Sequence, residues 1–217
     1  MTLVKICGVK DAAGFDAAVA AGADLIGFVF YPPSPRAVTA AAAAELSGRA
    51  PRGGEGGPLR VGLFVDPEDA LLEAVLAALP LDLIQLHGEE KPARAAGIRA
   101  RFGIPVMKAL GIAEPADLGL LAEYAPAVDR FLLDAKPPPG ASLPGGNAAA
   151  FDWRLVAGRP IPRPWLLAGG LTPDNVAEAL RHTGAPGVDV SSGVEKARGV
   201  KDPARIAAFV AAARGAG

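Results

Sequence analysis

One unit recurs along the whole chain: a short apolar run, a turn, then an alanine-rich amphipathic stretch. The runs are LVKIC (3–7), DLIGFVF (24–30), RVGLFV (60–65), LDLIQLHG (81–88), PVMKAL (105–110), DRFLLDA (129–135), PWLLAGG (164–170) and GVDVSSG (187–193). Helical stretches follow at 11–22, 39–48, 67–79, 90–102, 114–125, 173–182 and 202–214. Strands that alternate with helices imply βαβ units and a parallel sheet. Near-continuous apolar strands fit a sheet covered on its faces. Eight such units predict an α/β fold: one compact (β/α)8 TIM barrel with parallel strands, a single domain over residues 1–217. The competing architecture is an open doubly wound sheet. Its G-x-G-x-x-G fingerprint is missing, because the first strand runs into CGVKDAAG, and no phosphate-loop G-x-x-x-x-G-K-[ST] occurs.

Two segments break the rhythm. GRAPRGGEGGP (48–58) is a Gly-rich helix-to-strand connection, which a barrel places on its stability face. KPPPGASLPGGNAAA (136–150) directly follows a strand, so a barrel places it on the catalytic face, where long loops form lids and substrate walls. Composition narrows the function classes. With 51% hydrophobic residues and a net charge of -1, the chain is neither globally disordered nor a basic nucleic-acid binder. No signal-peptide pattern opens it and no apolar run reaches a membrane span. Cys7 is the one cysteine, which excludes an internal disulfide and fits a reducing cytoplasm. The expected location is therefore cytoplasmic.

Function in a barrel sits where strands end and βα loops begin. Polar or small residues mark nearly every such end: Cys7-Gly8, Tyr31 to Arg36, Asp66, His87-Gly88, Lys108, Asp134, Gly169-Gly170 and Ser191-Ser192-Gly193. The glycines and serines after runs seven and eight suit an anion, because backbone N–H groups can approach a ligand there. Tight turns and helix caps are the alternative. Lys5 and Cys7 share one strand face, and Asp134 closes an otherwise apolar strand. A thiol and a carboxylic acid facing one pocket make a plausible acid–base pair. A lone cysteine is also commonly a small buried hydrophobe, and Asp134 also reads as a loop cap. Arg36, in the proline-stiffened loop YPPSPRAV, suits bidentate binding of a carboxylate. His87 is read as a supporting polar residue. Asp189 is read as a partner for Lys5, since strand eight adjoins strand one in a closed barrel; a structural ion pair and a substrate contact both remain open. Two histidines, His87 and His182, with no HExxH, supply no multi-histidine metal centre.

The motifs KICG, GFVFYPPSPRAV, VGLFV, QLHGEE, FDW, LAGGLTPDNV and GVDVSSGVE, in that order over residues 3 to about 203, resemble the phosphoribosylanthranilate isomerase family of tryptophan biosynthesis. The resemblance implies an Amadori rearrangement of N-(5-phosphoribosyl)anthranilate to 1-(2-carboxyphenylamino)-1-deoxyribulose 5-phosphate. It implies Cys7 as general base, Asp134 as general acid and Arg36 on the anthranilate carboxylate. His87 and Asp189 join the substrate site, and Gly169, Gly170, Ser192 and Gly193 hold phosphate. No metal and no cofactor is implied, because the substrate nitrogen is itself the electron sink. The implied partner is a small phosphorylated substrate, without nucleic acid or membrane, bound by a monomer or homodimer. The chain departs from the family pattern at Val9-Lys10 after KICG, at GGNA (145–148) in place of GGTG, and at ARGVKD near 197–202. Two other functions remain open on the residues alone: a Schiff-base aldolase or lyase with Lys108 or Lys136 as nucleophile, and a non-catalytic phosphosugar-binding barrel.

Overall fold

The structure, a computed structural model, describes residues 1–136 and 151–216. Eight strands close into a parallel barrel in sequence order. They are β1 (Leu3–Cys7), β2 (Leu25–Val29), β3 (Leu59–Phe64), β4 (Leu83–Leu86), β5 (Val106–Ile112), β6 (Arg130–Ala135), β7 (Trp165–Leu167) and β8 (Gly187–Val190). Between and after them lie α1 (Ala12–Ala20), α2 (Ala40–Ser47), α3 (Asp69–Ala78), α4 (Pro92–Phe102), α5 (Gly119–Tyr124), α6 (Val176–Thr183) and α7 (Pro203–Arg214). Pairing of β8 with β1, with Lys5 opposite Asp189, closes the ring. No helix among the described residues is long and apolar enough to cross a membrane.

Period-two alternation divides every strand between two cores. Inward residues such as Leu25, Val61, Leu83, Met107, Leu132 and Leu166 fill the barrel. Outward residues such as Ile6, Phe28, Ile84 and Phe131 join the larger core beneath the helices. This explains why the runs read as continuously apolar. Helix starts follow local chemistry. The Asp11 carboxylate accepts from Gly14 N at 2.8 Å to cap α1, and Asp202 caps α7 ahead of Pro203.

The connection over 48–58 lies at the N-terminal ends of the strands, as expected. Arg60, fully buried on β3, gathers it in. Its guanidinium donates to Ser47 Oγ at 2.9 Å, to Ala50 O at 2.8 Å and to the carbonyl of Pro58, and lies over the Phe15 ring.

Two features differ from the sequence reading. β5 runs on to Ile112, so Lys108 sits within a strand and not at its end. A small antiparallel hairpin, β9 (Glu195–Ala197) with β10 (Val200–Lys201), precedes α7. Between β6 and β7, where the sequence reading placed a loop and no helix, the described residues hold a short 3-10 turn (Trp153–Leu155). The residues 137–150, including the expected lid and the GGNA departure, lie outside the described residues.

Candidate active site

Strand alternation sends Lys5 and Cys7 into the barrel on adjacent inward positions of β1. The Lys5 Nζ lies 2.7 Å from Asp189 Oδ1 and is wholly buried. Gly27 on β2 pairs with Cys7 and leaves the space both groups need. A Cβ there would lie 3.0 Å from Cys7 Sγ and 3.2 Å from Lys5 Nζ. The thiol and the ammonium therefore share one small volume. Burial pushes the Cys7 thiol above its ordinary value, and the Lys5 cation offsets part of that rise. Burial also pulls Lys5 down, but the Asp189 carboxylate and Cys7 outweigh it, so Lys5 stays above its ordinary value and cationic. A thiolate formed here has a fixed counter-charge beside it.

Asp134 occupies the matching position at the end of β6. Its Oδ1 accepts from Ala135 N at 2.8 Å, and its Oδ2 lies 3.5 Å from His87 Nε2. The other ring nitrogen, Nδ1, lies 2.9 Å from Gln85 Nε2. Gln85 is fully buried, and its Oε1 has no partner among the described residues. A cavity of about 250 Å³ opens beside this chain of groups, lined in part by His87, Lys108, Tyr124, Asp134 and Lys136.

The loops after β7 and β8 lie at the same end. Gly169 and Gly170 adopt φ of 86° and 61°. At Gly169 a Cβ would stand 2.7 Å from Ala135 N, so only glycine lets this loop lie against the end of β6. Asn175 braces the turn, accepting from Thr172 N at 2.8 Å and donating to Gly170 O at 3.0 Å. The backbone N–H groups of Gly169 and Gly170 have no acceptor among the described residues. Ser192 and Gly193 open a 3-10 turn (Ser192–Val194) directly after β8.

Arg36 binds a carboxylate in the bidentate manner the loop suggested, but within the protein. Its Nε and Nη2 donate to Glu195 Oε1 and Oε2 at 2.7 and 3.0 Å. Its Nη1 has no partner among the described residues.

A family model described as N-(5'phosphoribosyl)anthranilate (PRA) isomerase matches residues 4–212. The chain belongs to this family. Among its relatives, the N-(5'-phosphoribosyl)anthranilate isomerase of Paracoccus denitrificans is 63% identical over 210 residues, covering 97% of this chain and 96% of the relative. The crystal structure of phosphoribosyl anthranilate isomerase from Thermotoga maritima superposes with a TM-score of 0.87 at 36% identity, covering 99% of this chain and 100% of that one. Another solved isomerase of the family is in complex with reduced 1-(o-carboxyphenylamino)-1-deoxyribulose 5-phosphate. It gives a TM-score of 0.83 at 34% identity, over 99% of this chain and 100% of that one.

Within this family frame, Cys7, Asp134, His87, Arg36, Gly169, Gly170, Ser192 and Gly193 all stand at the C-terminal ends of barrel strands or in the loops that follow. Asp189 lies one layer deeper, on Lys5. Lys108 is withdrawn: its Nζ donates to Glu90 Oε2 at 2.7 Å and to Gly88 O at 2.6 Å. Three residues escaped the sequence reading. Glu195 and Lys201 lie on the unforeseen hairpin, and Gln85 was quoted in QLHG without a role. For Gln85 a signal existed, because a glutamine two residues before His87 shares its inward face.

Proposed function

We propose that this chain isomerises N-(5'-phosphoribosyl)anthranilate to 1-(2-carboxyphenylamino)-1-deoxyribulose 5-phosphate, with Cys7 as general base and Asp134 as general acid. The observation that carries the assignment is the convergence of both groups at one end of the barrel: Cys7 beside Lys5 on β1, and Asp134 near the end of β6 with its Oδ2 3.5 Å from His87, which follows β4.

The proton inventory closes on these groups. Asp134 protonates the furanose ring oxygen as the C1–O bond breaks, and the substrate nitrogen donates its electron pair to form a cationic Schiff base. Cys7, as thiolate, removes the C2 proton, and the C–H electrons flow to the iminium nitrogen. The resulting enolamine gains a proton at C1 and loses the one on its 2-hydroxyl to become the ketone, while Cys7 gives up the proton it took and Asp134 regains the one it gave. Lys5 favours the thiolate, and so does the iminium while it lasts. The loops at Gly169-Gly170 and Ser192-Gly193 hold the phosphate. Arg36 offers its Nη1 edge to the anthranilate carboxylate. The reaction needs no cofactor, and its place is the cytoplasm.

The lysine chemistry of the rival aldolase fits less well. Lys108 is ion-paired with Glu90, and Lys136 is held above its ordinary value by Asp117 at 2.9 Å, so neither offers a free amine. The test is conversion of phosphoribosylanthranilate, followed by loss of its fluorescence, together with borohydride treatment. Turnover with no lysine adduct is expected; absence of turnover, or a trapped lysine, overturns the assignment.

A further inference from the structure

The carboxylate of Glu195 is buried, yet it carries four donors. Arg36 Nε and Lys201 Nζ reach Oε1 at 2.7 and 3.0 Å, while Arg36 Nη2 and Gly199 N reach Oε2 at 3.0 and 2.9 Å. Arg36, Glu195 and Lys201 have side chains only 1–6% exposed. Two basic side chains thus meet one carboxylate in a buried place, where burial pulls Lys201 below its ordinary value. A buried polar group without a partner is costly, so the Arg36 Nη1, unpartnered among the described residues, favours an acceptor in the site. The cluster also braces the reacting end of β1. Lys201 Nζ donates to Ser191 O at 2.9 Å, and Ser191 Oγ donates to Cys7 O at 3.1 Å.

Glu195 takes the Nε edge of the guanidinium completely. A planar fork pinned along one edge cannot rotate, so only Nη1 is left without a partner among the described residues. We propose that Glu195, set on the β9–β10 hairpin and backed by Lys201, is a positioning residue that fixes Arg36 so that its free edge selects substrates bearing an aryl carboxylate. This rests on the reading of Arg36 as the carboxylate-binding group.

The test compares two substrates, phosphoribosylanthranilate and its carboxylate-free analogue phosphoribosylaniline, with turnover of the second followed chromatographically. The unmodified enzyme prefers the carboxylated substrate. Glu195→Gln keeps the shape but loses the charge, and lowers kcat/KM for phosphoribosylanthranilate by about tenfold to a hundredfold, mainly through KM. Its kcat/KM for phosphoribosylaniline falls by a clearly smaller factor, so the preference for the carboxylated substrate narrows. Glu195→Asp keeps the charge but draws it back by one methylene, and shifts preference the same way; it serves if the Gln variant does not fold. Equal loss on both substrates, or no change on either, overturns the positioning role. Arg36→Met separates the two layers of argument. Loss confined to the carboxylated substrate upholds the Arg36 reading, whereas equal loss on both overturns that reading and the proposal with it.

Discussion

Replacing Gly8 with alanine should damage catalysis through a residue that does no chemistry. Gly8 follows Cys7 with φ of 73°, and its N–H donates to Gly27 O at 2.9 Å. An alanine there costs about 1–2 kcal/mol for left-handed backbone. In a chain of this size that lowers Tm by about 2–8 °C. The new Cβ would also lie 2.5 Å from Arg36 Cδ and 3.1 Å from Ser191 Oγ. Carbon atoms in contact prefer about 3.5–4.0 Å, so the Arg36 stem must retreat by about 1 Å. A shift of that size in a substrate-orienting group can cost about a hundredfold in rate. The assay is steady-state loss of phosphoribosylanthranilate fluorescence beside a thermal melt. Gly103→Ala is the control: φ there is 66°, and a Cβ would meet nothing within 4 Å. The control should lose stability alone. If Gly8→Ala matches the control in both Tm and kcat/KM, the contact between this loop and Arg36 does not govern substrate placement.

Removing the buried ion pair as a unit, with Lys5→Met and Asp189→Asn together, should move the rise of kcat/KM with pH to higher pH. The Lys5 cation is the larger of the two influences on the buried thiol; an unmoved profile would make the pair purely structural. Acid melting should report Glu195. Burial raises its pKa, but Arg36, Lys201 and the Gly199 N–H outweigh that and hold it below the ordinary 4.5. The folded-state value is thus depressed, so its contribution is present above about pH 4.5 and lost as pH falls through the folded value. Glu195→Gln should flatten that acid limb in a Tm series against pH. Arg60→Met should cost about 3 kcal/mol, because several buried carbonyls lose their donor, and urea melts would show it. Its kcat should not change, since Arg60 sits at the opposite end of the barrel from the chemistry.

The barrel was legible because each strand is buried on both faces, so its apolar run is unbroken and its turns stand out. Closure brought Asp189 onto Lys5, as the adjacency of strands eight and one implied. Cys7 and Asp134 were legible as strand-end polar residues on inward positions. The end of β5 was placed too early because Gly111 interrupts the apolar run, although it continues the ladder opposite Asp134. Glu195 and Lys201 were not legible. The hairpin that carries them has only three and two residues per strand, too short for alternation to register. Its decisive contact joins Arg36 to a residue 159 positions away, and no local pattern encodes that. Arg36 illustrates the same gap: its loop foretold a bidentate carboxylate partner, but sequence could not tell an internal glutamate from a ligand.

The most direct test of the acid–base account is kcat of Cys7→Ser and of Asp134→Asn on phosphoribosylanthranilate, with circular dichroism and melts showing each variant folded. Loss of either group should lower kcat by about 10²–10⁴-fold. A folded variant of either residue that turns over within about tenfold of the unmodified enzyme would contradict the assignment of Cys7 as base and Asp134 as acid.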